Sequence, residues 1–360
     1  MKFIFTLLKV FRFRSPKSEK FHQEKKQDNK EIAEIQVKNS KEAQDEQLAA
    51  IEKISVITSE KNEEQIQAVE YHQESTKSQQ EEVSSEVILR LGEYIQPSSY
   101  WFAQYEAVAG ISHRKATAPL PCQDSAVAFV SPKPTVIIAD GAGSSAVSDL
   151  GSKAVVTGLA RFIKTMERYF SELLDQESSE AKQHDAALIL VKHAKGILED
   201  LETEHRRPLK DFRCTLLLAI IGKVHTLWVK VGDGALVIEK KEKTLDGVIS
   251  KLSTLGEVGK GEYANATTFI GEHLQPNDVQ SGVVESKYIT ALFAMSDGSA
   301  EKFVSNKGDK VAQRLSSWAD LLRQERLFRY QLTKAFYAED FLQRHTGDDC
   351  CIAMVSAKLS

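Results

Sequence analysis

Apolar runs that stop at an aspartate beside a glycine constrain this chain more than any other feature. Val136-Ile137-Ile138-Ala139 ends in Asp140, and Gly141-Ala142-Gly143-Ser144-Ser145 follows at once. The arrangement recurs where Ala294-Met295-Ser296 leads into Asp297-Gly298, and where Gly347-Asp348-Asp349 precedes Ile352-Ala353-Met354-Val355. Short apolar runs bounded by turn residues read as buried strands. A strand fixes the direction of its side chains, and a glycine turn opens the backbone to ions and water. Taken singly, each Asp-Gly is a plain turn, because glycine accepts positive φ and aspartate tolerates the left-handed region. Taken together, they set three carboxylates at strand ends. Those are the oxygen donors that hard cations such as Mg²⁺ and Mn²⁺ prefer.

The rest of the composition narrows the class. A net charge of −4 over 360 residues argues against a dedicated nucleic-acid binder, which needs a basic surface. Cys122, Cys214, Cys350 and Cys351 form no C-x-x-C pair, and most lie in or beside apolar runs. They read as small buried side chains in a reducing compartment, which points to a cytoplasmic protein. Zinc is the weaker guess, since no dense His or Cys cluster occurs.

Three regions follow along the chain. Residues 1–20 hold a short apolar run interrupted by Lys9, with Lys2, Arg12, Arg14, Lys17 and Lys20 around it. That run is too short to span a bilayer. Two readings stay open: a basic amphipathic segment lying peripherally on an anionic membrane, or a start without a role. Residues 21–97 form a polar linker, disordered or partly helical, with neither proline nor glycine between positions 17 and 91. Residues 98–360 read as the folded domain. Strand patterns fall at 126–130, 135–139, 214–221, 225–231, 235–238 and 350–355, and helical patterns at 148–174, 180–205 and 317–337. Hairpins combined with helix pairs suit an α+β layered sandwich better than a βαβ array.

Six segments together resemble the metal-dependent protein phosphatases of the type 2C family, in particular the compact bacterial branch. They are Gly110-Ile111-Ser112-His113, Pro121-Cys122-Gln123-Asp124, Ala139-Asp140-Gly141-Ala142-Gly143-Ser144, Val231-Gly232-Asp233-Gly234, Met295-Ser296-Asp297-Gly298 and Gly347-Asp348-Asp349. The resemblance runs from about residue 105 to the C-terminus. It implies a four-layer sandwich of two antiparallel β-sheets flanked by helix pairs. It also implies hydrolysis of phosphoserine or phosphothreonine in a protein substrate by water activated between two Mn²⁺ or Mg²⁺ ions per domain. An opposing protein kinase is the expected partner.

Carried over by residue, the resemblance makes Asp140 the bridge between the ions, with the Gly141 carbonyl on one and Asp297 and Asp348 on the other. Asp124 would stand behind these ligands, and Asp349 would be a supporting polar group. Glu301 would hold a third, weaker ion, or else be an exposed helix-start residue. The family's phosphate-binding arginine is expected near Ser112–Arg114; His113 occupies its place, and Arg114 serves after a shift of one residue. His113 is also the nearest candidate to protonate the leaving group. Two departures matter: Gln123 stands where many members have glutamate, and Ala142 where many have histidine. They motivate a second reading, a catalytically weak phosphatase-like module that binds phosphopeptides or a partner protein. A third makes the Gly141 turn a nucleotide cradle, against which the hairpin-rich pattern argues.

Overall fold

The computed structural model describes residues 92–257 and 267–359. The expectations for residues 1–20, and for 21–97 up to position 91, lie outside the described residues. Among those described, no helix is long and apolar enough to cross a membrane.

In chain order the elements are β1 (Pro97–Val108), α1 (Ile111–Arg114), β2 (Asp124–Phe129), β3 (Thr135–Asp140), α2 (Ser148–Thr165), α3 (Glu167–Leu174) and α4 (Glu180–His205). Then come β4 (Leu216–Ile221), β5 (His225–Val231), β6 (Ala235–Thr244), β7 (Gly247–Leu255), β8 (Gln280–Glu285) and β9 (Ala291–Met295). The chain closes with α5 (Asp297–Phe303), α6 (Arg314–Arg323), α7 (Arg329–Phe336), α8 (Glu339–Leu342) and β10 (Cys350–Leu359). Two five-stranded sheets form, ordered β1-β10-β9-β6-β7 and β2-β3-β4-β5-β8. Every strand pairing is antiparallel.

The apolar runs are continuous because both faces of the central strands are covered. In β3, Ile137 and Ala139 pack with Val155, Leu159, Phe170 and Leu190 of α2, α3 and α4. The alternate residues Val136 and Ile138 face the other sheet, meeting Leu236, Leu292 and Val355. β10 divides its side chains in the same way. Ile352 and Met354 pack beneath Leu315, Trp318 and Phe336 of α6 and α7, while Ala353 and Val355 enter the space between the sheets. Three apolar layers therefore separate four layers of secondary structure, the α+β sandwich expected.

Two expected helices differ from those observed. The pattern over 148–174 breaks at Met166, whose φ of −91° and ψ of 25° leave the helical region. The break lets Phe170, Leu173 and Leu174 of α3 remain buried while the Leu174 carbonyl accepts the Val224 N–H at 3.0 Å. The pattern over 317–337 is two helices, α6 and α7. Glu325, at φ 58°, ends the first, and Leu327 is drawn into the core between them. A helical spacing carries across both breaks, which is why periodicity alone merges the pieces.

Candidate metal centre

All the strand ends bearing the singled-out aspartates lie at one end of the sandwich. Asp140 closes β3, and its N–H donates to Thr215 Oγ1 at 2.9 Å. Asp124, at the start of β2, lies directly opposite it in the ladder. Asp233 sits in the tight β5–β6 turn between Gly232 and Gly234, whose φ values are 95° and 91°. Only glycine adopts such values without strain, so the turn can project Asp233 inward. Asp297 opens α5, accepting the N–H of Gly298 at 2.6 Å. Here too the glycine is required, since a Cβ on Gly298 would lie 2.1 Å from the Asp349 carbonyl oxygen.

Carboxylate oxygens of Asp140, Asp233 and Asp297 lie within 4.8 Å of one another. They line a cavity of about 170 Å³ with Asp348, Asp349, Gln123, Thr267, Phe269 and the Gly141–Gly143 backbone. Asp348 faces this cavity without belonging to the tightest trio. Asp233 belongs to that trio, although its segment entered the sequence reading as part of the resemblance and not as a metal ligand. The signal was present, since Asp233 ends an apolar run beside a glycine just as the others do.

The carboxylates oppose one another's ionisation. Burial, then Asp124 and Asp297, push the Asp140 carboxyl well above the usual range. Burial, then Asp233 and Asp348, raise Asp297 to about 6. Burial raises Asp124 to about 8; the Ser296 hydroxyl opposes the shift and Asp349 adds to it. Both Asp124 oxygens are buried without an aligned hydrogen bond. No lysine or arginine lines the cavity to neutralise this charge. Crowded carboxylates, with neither thiol nor imidazole in the lining, fit hard divalent cations.

The remaining expected residues divide into struts and neighbours. Asp349 is buried, and its two oxygens accept the Gly110 and Gln123 N–H groups, each at 2.6 Å. It thus ties β10 to the starts of α1 and β2. His113 Nδ1 lies 2.9 Å from Asp349 Oδ1 without aligned geometry. Arg114 lies over the Tyr337 ring, 4.7 Å from its centroid. Neither basic residue lines the carboxylate cavity. Glu301 lines an adjoining cavity of about 510 Å³ with Asp233, Asp297 and Asp348, while accepting the Thr346 N–H at 3.0 Å. A cavity of about 760 Å³ opens at the opposite end of β3, but its Lys133 is already paired with Asp175 at 2.6 Å. The chemistry, rather than the volume, marks the site.

His345 carried no sequence signal, yet it links two of the acidic segments. Its Nδ1 accepts the Gly347 N–H at 2.8 Å, so the proton resides on Nε2, 2.8 Å from the Gly298 carbonyl. The ring fastens the α5 N-terminus, with Asp297, to the turn that carries Asp348. His345→Ala is expected to weaken Mn²⁺ binding about 10- to 100-fold, as loss of an orienting partner does, and His345→Asn to restore part of it. Calorimetric titration of both variants checks this.

The family model described as protein phosphatase 2C matches residues 109–336. The chain is similar to serine/threonine-protein phosphatase 3 of Escherichia coli (strain K12), 28% identical over 176 residues. That match covers 47% of this chain and 62% of the relative, so it spans less than two thirds of the relative's length. Among solved structures, a serine/threonine phosphatase of S. agalactiae matches at 18% identity and a TM-score of 0.48, covering 72% of this chain and 100% of that one. The serine-threonine phosphatase 2C of Toxoplasma gondii matches at 15% identity and a TM-score of 0.49, covering 74% of this chain and 99% of the other.

Proposed function

Because the chain belongs to the protein phosphatase 2C family, matched over residues 109–336, we propose that it is a divalent-metal-dependent phosphatase acting on phosphoserine and phosphothreonine in proteins. The convergence of Asp140, Asp233 and Asp297 oxygens within 4.8 Å carries the proposal. Asp140, Asp233, Asp297 and Asp348, with the Gly141 carbonyl, would hold two Mn²⁺ or Mg²⁺ ions. Bound there, such ions supply acidity to a water nucleophile and neutralise the phosphoryl oxygens.

The chain's own groups do the rest. Asp124, buried behind Asp140, sets the charge that Asp140 can carry. Asp349 fixes the Gln123 backbone, and the Gln123 side chain lines the cavity as a neutral amide able to donate to a phosphate oxygen. The Thr267 hydroxyl donates to Asp233 Oδ2 at 2.9 Å and orients that carboxylate. His113, beside the cavity-lining Asp349, enters the proposal as a basic group, with Arg114 next to it in the chain over the Tyr337 ring. Glu301 is proposed to assist a third, weaker ion in the adjoining cavity. The substrate is a phosphoprotein made by an opposing kinase.

Phosphate release from a phosphothreonine peptide tests this reading. The EDTA-treated chain should be inactive and should gain activity at least about 10-fold with Mn²⁺ or Mg²⁺ at millimolar concentration. Equal release with and without the ion would refute it. Tight peptide binding without turnover would favour the binding module, for which Gln123 and Ala142 in the cavity wall speak.

A further inference from the structure

A second cavity, about 370 Å³, shares Thr267 and Phe269 with the carboxylate cavity as a common wall. Lys210 and Arg213 bring to it the positive charge that its neighbour lacks, beside the carboxylates of Glu272 and Asp278. Arg213 precedes β4 and reaches back to the turn that follows Asp140. Its carbonyl accepts the Ala142 N–H at 3.1 Å. Its Nε donates to Ser145 Oγ at 3.1 Å and its Nη2 to Ser144 Oγ at 2.8 Å. The Ser145 hydroxyl in turn donates to the Lys210 carbonyl at 2.7 Å, leaving its lone pairs for Arg213. The guanidinium carbon stands 5.4 Å from the Phe269 ring centroid.

Arg213 is therefore held on an aromatic wall by neutral hydroxyls alone. Among the described residues, no ion pair includes Arg213 or Lys210. Glu272 and Asp278 also line the cavity, and neither pairs with Arg213 or Lys210. Asp278 accepts the Gln275 N–H at 2.8 Å, and Glu272 lies 4.0 Å from the His273 ring. A fixed, half-buried guanidinium without a counter-charge is a receptor for an anion, and its planar fork suits a carboxylate.

We propose that this cavity is the subsite for an acidic side chain flanking the phosphorylated residue, so that the substrates are phosphopeptides with Asp or Glu near the phosphoresidue. The inference rests on the phosphatase reading above. An extended peptide advances about 3.3–3.6 Å per residue, so a side chain one to three positions from the phosphoresidue crosses the shared wall. The phosphate meets the carboxylate cavity and the flanking carboxylate the Arg213 side of the second one.

The test uses the full chain and two phosphothreonine peptides that differ only in Glu or Gln at the flanking positions. Wild type should favour the Glu peptide about 10-fold in kcat/KM, mostly through KM, and the preference should shrink in 0.5 M salt. The Arg213→Gln/Lys210→Gln double variant should lose the preference, and Arg213→Lys should keep part of it. The ratio between peptides within each variant cancels any general loss of fold. Equal handling of the peptides by wild type, or a preference that survives the double variant, overturns the inference. Anisotropy measures the same ratio as binding: if neither peptide is turned over, the phosphatase reading falls, while a Glu preference in binding still upholds the subsite.

Discussion

Asp140→Asn is expected to cut Mn²⁺-stimulated phosphate release at least about 10³-fold, and yet to raise the melting temperature of the metal-free chain at pH 8. The first effect follows from position. Asp140 ends a strand whose faces are fixed by Ile137 and Ala139 on one side and Val136 and Ile138 on the other, so no neighbour can take its place. A loss of 10³ corresponds to about 4 kcal/mol of transition-state stabilisation, within the span attributed to electrostatic preorganisation. The second effect follows from crowding. Asp140 is pushed up by burial and then by Asp124 and Asp297, so replacing it with an amide removes an ionisation that the folded state resists. Initial rates and scanning calorimetry on one preparation check both. Activity within tenfold of wild type, or a lower melting temperature at pH 8, would contradict the assignment.

Without metal, the folded chain should lose stability as pH rises from 5.5 to 8.5. Asp297 at about 6 and Asp124 at about 8 both lie above the ordinary aspartate value of 3.8 that they regain on unfolding. Between those limits the folded state binds protons that the unfolded state has released. Their stabilising contribution is full below about pH 4 and fades as pH rises through 6 and then 8. Each group can cost up to about 1.4 kcal/mol per pH unit in its window, so the total reaches a few kcal/mol. Millimolar Mn²⁺ should reverse the trend, adding several degrees at pH 8 and little at pH 5.5, because cation and protons compete for the same oxygens. Asp124→Asn should flatten the metal-free slope. A stability that is level or rising across this range would show that the carboxyls are not coupled as described.

Much of this arrangement was legible in the chain itself, for physical reasons that differ by segment. Strands β3, β4 and β10 announce themselves because both faces are buried, which forces unbroken apolar runs. Asp140, Asp297 and Asp348 stood out because each adjoins such a run and a glycine. Asp233 had the same mark, but an Asp-Gly hairpin is so often only a turn that its convergence with Asp140 needed the third dimension. Strand β7 was invisible because it lies at a sheet edge, where exposed Val248 and Ile249 interrupt the expected alternation. The 148–174 and 317–337 helices were read too long because a break that preserves the buried face leaves no trace in spacing. Partnerships across the chain were harder still. Asp349 holding Gly110 and Gln123, and Arg213 resting on Phe269 while bound to Ser144 and Ser145, join segments whose local sequence gives no hint of each other.

Calorimetric titration of the EDTA-treated full chain with Mn²⁺, beside Asp233→Asn, tests the convergence most directly. Two tightly bound ions per wild-type chain, with affinity at least about tenfold weaker in the variant, are the result predicted from the four carboxylates proposed as ligands. Failure of the wild type to bind Mn²⁺ at millimolar concentration, or unchanged binding in Asp233→Asn, would contradict it.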